Sequence, residues 1–139
     1  MGIVAEGARA AIVESNEIDH LKAYGIMVKG SSKTLLRSNR LTNCGYGLAF
    51  VLGDAASPST AVDNTIIAPY YNGIDVIGDS PILRRNHVLR PRVKALNIAD
   101  FTDTAGTTIR AKPFLDNNKF GSSVAAMAGN TTAGAGTAR

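Results

Sequence analysis

Short blocks of alternating apolar and polar residues recur along the chain. In residues 24–28, Tyr-Gly-Ile-Met-Val, the apolar side chains of Ile26 and Val28 stand two positions apart. This alternation predicts β-strands, because an amphipathic helix would space its apolar residues three and four apart. Similar blocks, of which the last lacks the glycine, occupy residues 2–4, 46–50, 72–76 and 95–98.

A second repeat is centred on asparagine. The asparagines of this repeat follow one another at intervals of 23, 25, 22 and 32 residues, at Asn16, Asn39, Asn64, Asn86 and Asn118. Each has an apolar residue three positions before it and another two positions after it, as Leu36 and Leu41 flank Asn39. A polar residue between two buried ones needs hydrogen-bond partners, and a stacked asparagine can bond the amide one turn away. We therefore predict a buried structural ladder of asparagines.

Strands that recur every 22–25 residues, with Gly and Asn between them, predict a solenoid. Each turn would supply short strands that pair in parallel with the turns above and below, about 4.8 Å away. Equivalent side chains would then stack in interior columns. The two columns predicted inside the first strand of each turn are Ile26, Leu48, Ile74 and Leu96, and Val28, Phe50, Val76 and Ile98.

These strands, the Asn column and the turns at residues 30–32 (Gly-Ser-Ser) and 78–80 (Gly-Asp-Ser) carry a family resemblance. The chain resembles the right-handed parallel β-helix proteins, the pectate-lyase-like superfold that also includes phage tailspikes. The resemblance implies an all-β fold, a right-handed parallel β-helix solenoid of about five coils over residues 1–120. A low-complexity tail rich in Gly, Ala and Thr would follow at residues 121–139.

Enzymes of this superfold act on acidic polysaccharides through carboxylates and a base on the outer face of one sheet. The resemblance makes Asp75, Asp79 and Arg84 weak catalytic candidates. Glycoside hydrolysis needs a pair of carboxyl groups, and Asp75 has no partner in register. Asp79 could join Asp75 only if the turn between them folds back. The alternative interpretation of Asp75 is an exposed strand residue without chemistry.

The outer face of the same strands is apolar, which favours a covered surface. Met27, Val51 and Ile77 would point outward there, and a subunit interface or the C-terminal tail is the cover that we expect. The insertion at residues 100–113 is a second candidate contact, through Phe101, since insertions in solenoids form loops on one face. A solvated excursion is an equally good interpretation of that insertion.

Charge and aromatic residues add a further candidate surface. Lys and Arg exceed Asp and Glu by 15 to 11, and the fourth turn carries a basic run in which Arg90, Arg92 and Lys94 could bind phosphate or an acidic glycan. Ladders of opposite charge on a solvated face are the alternative interpretation, with Glu14 opposite Arg37. The four tyrosines stand just before the glycine positions, either as structural residues or as sugar-stacking ones: Tyr24, Tyr46, Tyr70 and Tyr71.

The sequence predicts neither a metal site nor a cofactor. His20 and His87 stand at different positions of the repeat, and a single cysteine, Cys44, excludes a disulfide framework. Neither a nucleotide-binding glycine motif nor a nucleophile elbow is present.

These observations favour a non-catalytic structural or binding module. We expect a homo-oligomer, a trimer, similar to the β-helical parts of phage tailspikes or virion decoration proteins. The alternative is a fragment or small member of the carbohydrate-active β-helix proteins, a lyase, epimerase or hydrolase. A surface or periplasmic repeat protein is a third interpretation.

The expected partners are copies of the same chain or neighbouring structural subunits, and an acidic polysaccharide is a further candidate. Membranes and nucleic acids are not expected partners. The chain begins without a signal peptide. It would belong in a virion or the cytoplasm if Met1 is the natural start, and outside the cell or in the periplasm if it is a fragment.

Overall fold

The computed structural model describes residues 1–123, and these residues contain strands and turns but no helix. Accordingly, no helix in this range is long and apolar enough to cross a membrane. Most of the tail predicted for residues 121–139 lies outside the described residues, so the boundary after residue 120 stays a prediction.

The strands are β1 (Ile3–Glu6), β2 (Ile12–Glu14), β3 (Glu17–Asp19), β4 (Tyr24–Lys29), β5 (Leu35–Arg37), β6 (Arg40–Thr42), β7 (Tyr46–Val51), β8 (Thr60–Val62), β9 (Thr65–Ile67), β10 (Asn72–Ile77), β11 (Ile82–Arg84), β12 (His87–Leu89), β13 (Lys94–Ala99), β14 (Phe101–Thr102), β15 (Thr108–Ile109), β16 (Phe114–Asp116) and β17 (Lys119–Phe120).

The strands form a parallel solenoid with three sheets. Sheet 1 has the order β1-β4-β7-β10-β13, sheet 2 the order β2-β5-β8-β11-β16, and sheet 3 the order β3-β6-β9-β12-β17. All pairs within these sheets are parallel and join strands of successive coils. Because the five strands of each sheet are separated by about four turns, the predicted number of about five coils is roughly right.

The interior consists of the predicted apolar columns. In sheet 1, Ile26 pairs with Leu48 and Leu48 with Ile74, and all three are fully buried. The neighbouring column continues from Val28 through Phe50 to Val76 in the same register. Parallel stacking places each apolar residue on its equivalent in the next coil, so these side chains form continuous columns that fill the core.

Each coil turns sharply at single residues in the left-handed backbone conformation. The residue directly before each ladder asparagine has a positive φ, which is 55° at Ser15 and 54° at Ser38. The same applies to Asp63, Arg85 and Asn117. Small polar residues tolerate this conformation better than most, and one such residue redirects the chain from sheet 2 into sheet 3.

The predicted insertion forms an antiparallel hairpin outside the solenoid. Strands β14 and β15 pair Phe101 with Ile109 and Thr102 with Thr108. Residues 102–110 are all exposed, whereas Phe101 is half-buried at the base of the hairpin. Phe101 lies close to Gly78, at the corner where the chain leaves sheet 1.

Candidate functional site

The repeated asparagines stand in one column between sheets 2 and 3. The Nδ2 atom of each donates to Oδ1 of the next, at 3.0 Å from Asn16 to Asn39 and at 2.9 Å from Asn39 to Asn64. The column continues at 2.9 Å to Asn86 and at 3.1 Å to Asn118. The backbone N–H of each asparagine donates to the same Oδ1, so every acceptor within the column receives two hydrogen bonds.

The ladder also uses the second proton of each amide. Nδ2 of Asn39 donates to the backbone oxygen of Val13, and Nδ2 of Asn64 donates to that of Leu36, both at 2.9 Å. Each carbonyl belongs to the residue three positions before the preceding asparagine. Buried amides with all their partners hold the coils in register, which is a structural role and offers no free group to a ligand.

The first catalytic candidate, Asp75, is buried on the outer side of β10 and is only 2% exposed. Its Oδ1 accepts hydrogen bonds from Nδ2 of Asn72 at 2.8 Å and of Asn97 at 3.1 Å. Burial raises the pKa of the Asp75 carboxyl, and the hydrogen bonds from the two amides and the charge of Lys94 oppose that shift. The interpretation of Asp75 as an exposed strand residue is therefore wrong, because neighbouring side chains cover it.

Asp79 and Arg84 are held by different groups from those that hold Asp75. Oδ1 of Asp79 accepts from the backbone N–H of Ser80 at 2.6 Å, and its buried Oδ2 has no partner within residues 1–123. Burial raises the pKa of Asp79 as well, and the backbone N–H groups of Ser80 and Gly53 oppose that shift. Arg84 forms an ion pair with Asp116 at 3.6 Å on sheet 2. The hydrogen bonds and ion pairs of the described residues therefore do not join the three candidates into one site.

The apolar binding candidates lie in two neighbouring files on the outer face of sheet 1. Met27 pairs with Ala49, and Val51 pairs with Ile77. Met27, Val51 and Ile77 are all half-buried. These three side chains point outward, as predicted, but other residues of the same chain partly cover each of them.

The tyrosines stack on one another beside the same sheet. The ring centroids of Tyr24 and Tyr46 are 4.4 Å apart, and those of Tyr46 and Tyr71 are 4.9 Å apart. Burial, Asp75 and Tyr46 together raise the pKa of Tyr24. The three rings pack on one another at the corner before sheet 1, and of the three only Tyr71 is exposed.

An open groove runs along this corner, and we call it the tyrosine–arginine groove. It has a volume of about 590 Å³ and is lined by Lys22, Gly45, Tyr70, Tyr71 and Arg92. The lining residues come from four successive coils, since the backbone N–H of Gly45 donates to Leu21, that of Tyr70 to Cys44 and that of Arg92 to Pro69. With coils about 4.8 Å apart, Lys22 and Arg92 stand about 14 Å apart along the axis.

The floor of the groove is flat at its centre. A side chain at Gly45 would meet the backbone oxygen of Lys22 at 2.6 Å, so this position is confined to glycine by close packing. The rings of Tyr70 and Tyr71 are 40% and 50% exposed above this floor. The guanidinium carbon of Arg92 lies 4.6 Å from the centroid of the Tyr70 ring, which fixes its direction.

The groove cations differ from several other basic residues in having no acidic partner. On the flanks of the solenoid, Arg37 pairs with Glu14 and Arg85 pairs with Asp63. Within residues 1–123, neither Lys22 nor Arg92 forms such an ion pair. An arginine without a carboxylate partner can offer its planar fork to an anionic ligand.

The sequence identified only part of this groove. Arg92 was predicted as a binding residue and the tyrosines as possible sugar contacts, whereas Lys22 and Gly45 were not predicted. The other basic candidates lie elsewhere: Arg90 is an exposed turn residue with φ 50°, and Lys94 donates to Oδ1 of Asn97 at 3.2 Å. Aligning the Tyr-Gly blocks places Ala23 opposite Gly45, so the repeat pattern could find Gly45 but not Lys22, which is an extra residue at this corner.

A second, smaller concavity of about 310 Å³ lies at the ladder turn of the last coils. It is lined by Arg85, Asn86, His87, Asn117 and Lys119. Two of the residues that line this concavity already have partners within the fold: Asn86 belongs to the ladder, and Arg85 forms an ion pair with Asp63 at 2.8 Å.

The remaining titratable groups do not assemble into a metal centre among residues 1–123, where no three His, Cys, Asp or Glu side chains could share an ion. Cys44 is buried, and burial raises the pKa of its thiol. A raised pKa keeps the thiol protonated and unreactive at neutral pH, in keeping with a packing role.

Comparisons with known proteins address the fold. The family model described as right-handed beta helix region matches residues 1–89, which is more than half of the chain. Neither the curated proteins nor the solved structures contain a match. Together with the parallel three-sheet architecture, the family match identifies the chain as a member of the right-handed β-helix family.

Proposed function

We propose that this chain is a non-catalytic β-helix module that binds an acidic polysaccharide in the tyrosine–arginine groove. The observation that carries the proposal is the pair of cations without acidic partners, Lys22 and Arg92, at the two ends of a groove with exposed tyrosine rings. Aromatic rings offer apolar faces to sugar rings, and arginine binds carboxylates through two parallel hydrogen bonds.

The groove also has the form that an extended polymer requires. It is an open groove rather than an enclosed cavity, and its lining residues from four successive coils extend it along the solenoid axis. The lining residues differ from coil to coil but stand at regular steps of about 4.8 Å along the axis, so an extended ligand would meet them one after another. The candidate carboxylates of the catalytic interpretation, Asp75 and Asp79, are both buried, which favours binding over chemistry.

The experiment is a calorimetric titration with oligogalacturonate and with a neutral oligosaccharide of the same length. We expect binding of the acidic ligand only, weaker at high salt. Arg92→Ala should weaken it about tenfold or more, since a hydrogen bond to a charged group contributes about 1.5–3 kcal/mol. Arg40→Ala removes an exposed cation from sheet 3 and should leave affinity unchanged. Equal losses in the two variants, or equal binding of the neutral ligand, would contradict the groove.

The enzymatic alternative has its own measurement. A lyase acting on polygalacturonate or alginate would produce unsaturated uronates that absorb in the ultraviolet. Formation of this chromophore by the wild-type protein, and its loss in Asp75→Ala, would overturn the non-catalytic proposal.

The homotrimer expected from the sequence is a second proposal, and the apolar files with Met27, Val51 and Ile77 favour it. Since these side chains are only half-buried in one chain, burial against a neighbour would remove further apolar area from water. Light scattering should give three times the chain mass, and Ile77→Lys should reduce it to a single chain.

A further inference from the structure

The two cations of the tyrosine–arginine groove are separated by uncharged residues. Lys22 lines the first of the four coils that form the groove, and Arg92 lines the fourth. The two coils between them contribute Gly45, Tyr70 and Tyr71, none of which is a charged residue. The groove therefore offers positive charge at its two ends and none along its middle.

The separation of the two cations corresponds to a ligand of definite length. Successive coils lie about 4.8 Å apart, so the three steps from Lys22 to Arg92 amount to about 14 Å along the axis. A sugar unit of an extended 1,4-linked chain advances by close to one coil spacing. Four units laid along the groove would place the first unit beside one cation and the fourth unit beside the other.

The two ends of the groove hold an anion in different ways. The guanidinium carbon of Arg92 lies 4.6 Å from the centroid of the Tyr70 ring, so its planar fork has a fixed direction in which a carboxylate can be bound through two parallel hydrogen bonds. Lys22 is exposed and carries a compact charge on a flexible stem. Arg92 thus fixes the position of one acidic unit, and Lys22 adjusts to the other.

The middle of the groove favours neutral sugars over acidic ones. A carboxylate held above Gly45 or beside the tyrosines would lose part of its water without gaining a cationic partner, which costs free energy. The hydroxyl groups of a neutral sugar lose less, because the exposed phenol groups of Tyr70 and Tyr71 can both donate and accept hydrogen bonds.

From this arrangement we infer that the ligand is an acidic polysaccharide whose uronic acids stand three units apart, with two neutral sugars between them. The inference rests on the proposed binding function and specifies its ligand. One carboxylate binds Lys22, the next binds Arg92, and the neutral units lie over Gly45 and the tyrosines. Four units are the shortest ligand that reaches both cations, and the second contact is then intramolecular.

Calorimetric titration with three synthetic tetragalacturonates tests the charge pattern. One is fully acidic, one carries methyl esters on its two inner carboxyl groups, and one carries them on its two outer carboxyl groups. We expect the inner ester to bind at least as tightly as the fully acidic ligand. The outer ester should bind about tenfold or more weakly, because it lacks the carboxylates that meet the two cations.

A comparison of chain lengths tests the spacing. Trigalacturonate reaches only one of the two cations, so it should bind about tenfold or more weakly than tetragalacturonate. Lys22→Ala and Arg92→Ala, both at exposed positions, should each remove the advantage of four units over three and reduce the preference for the inner ester. Arg40→Ala removes an exposed cation outside the groove and should retain both differences.

Two kinds of result would overturn the inference. Equal affinity for the inner and outer esters, or for three and four units, would refute the spacing. The binding function itself would still stand in that case if acidic ligands bind and Arg92→Ala weakens them. A protein that binds none of these ligands would refute both the spacing and the proposed function.

Discussion

At the residue scale, the buried asparagines of the ladder have all their hydrogen-bond partners, whereas three other buried side-chain oxygens of residues 1–123, one of them on Asp79, have none. Asn39 and Asn64 are buried with both amide protons and the acceptor bonded. Asp79 is equally buried, but its Oδ2 has no partner within residues 1–123. A buried carboxylate with one unsatisfied oxygen destabilises the folded state when it is ionised.

Asp79→Asn should therefore stabilise the protein at neutral pH, by about 1 kcal/mol. Burial raises the pKa of Asp79 in the folded state above its usual 3.8, so the folded protein binds this proton more tightly than the unfolded chain does. The stability of the wild type then falls as the pH rises from 3.8 through the raised pKa. Urea unfolding at pH 7 and pH 4 should show the gain in Asp79→Asn at pH 7 and a much smaller one at pH 4.

The control for this comparison is Asp54→Asn, at an exposed carboxylate that accepts from the backbone N–H of Ala56 at 3.0 Å. It should change stability little at either pH. An equal gain for Asp79→Asn at both values would show that the carboxylate charge is not the cause.

At the scale of strands, sheet 1 is packed closely against sheet 3 through small residues. A side-chain carbon at Gly47 would lie 2.7 Å from an Ile66 carbon and closer still to the backbone oxygen of Gly73. The equivalent position in the fifth strand of sheet 1 is Ala95, which is fully buried and fits. The space at this position therefore differs from coil to coil, although the register is the same.

Gly47→Ala should destabilise the protein by about 2 kcal/mol, because overpacking a filled core moves backbone or side chains off their preferred positions. Ala95→Gly should cost only about 1 kcal/mol, mainly through the greater freedom of glycine in the unfolded chain. Urea denaturation of both variants provides the measurement. A loss at Gly47 no larger than that at Ala95 would show that the sheets can separate at little cost.

The sequence predicted the apolar columns because parallel stacking repeats one contact in every coil, so the spacing alone aligns Ile26 with Leu48. It did not predict the burial of Asp75, which depends on Asn72 and Asn97 reaching across the strand surface. Nor did it place Lys22 in the groove. The corner there has one extra residue: the successive residues Gly45 and Tyr46 bond to Leu21 and Ala23, which are not successive.

At the scale of the whole molecule, stability should vary along the axis. Inner coils have neighbours on both sides, and Leu36 and Leu41 are fully buried there. Their equivalents in the first coil, Val13 and Ile18, are half-buried. In a solenoid each repeat contacts only its neighbours, so opening begins at an end and proceeds inward.

Amide hydrogen exchange should therefore be slowest in β7 and β10, at the middle of sheet 1, and at least about tenfold faster in β1 and β3, where part of the packing is missing. Uniform protection from β1 to β10 would contradict opening from the end and would indicate a single cooperative unit.

The left-handed residue before each ladder asparagine has a consequence for how such a chain can lengthen or shorten. Because the turn from sheet 2 to sheet 3 takes only two residues, the left-handed residue and the ladder asparagine, adding one residue there would rotate every following side chain to the opposite face. Removal of residues 40–64, in contrast, joins Asn39 to Thr65 and leaves the columns in register. Length can change in this fold by whole repeats at little cost, and changes of a few residues are confined to the corners that lead outward.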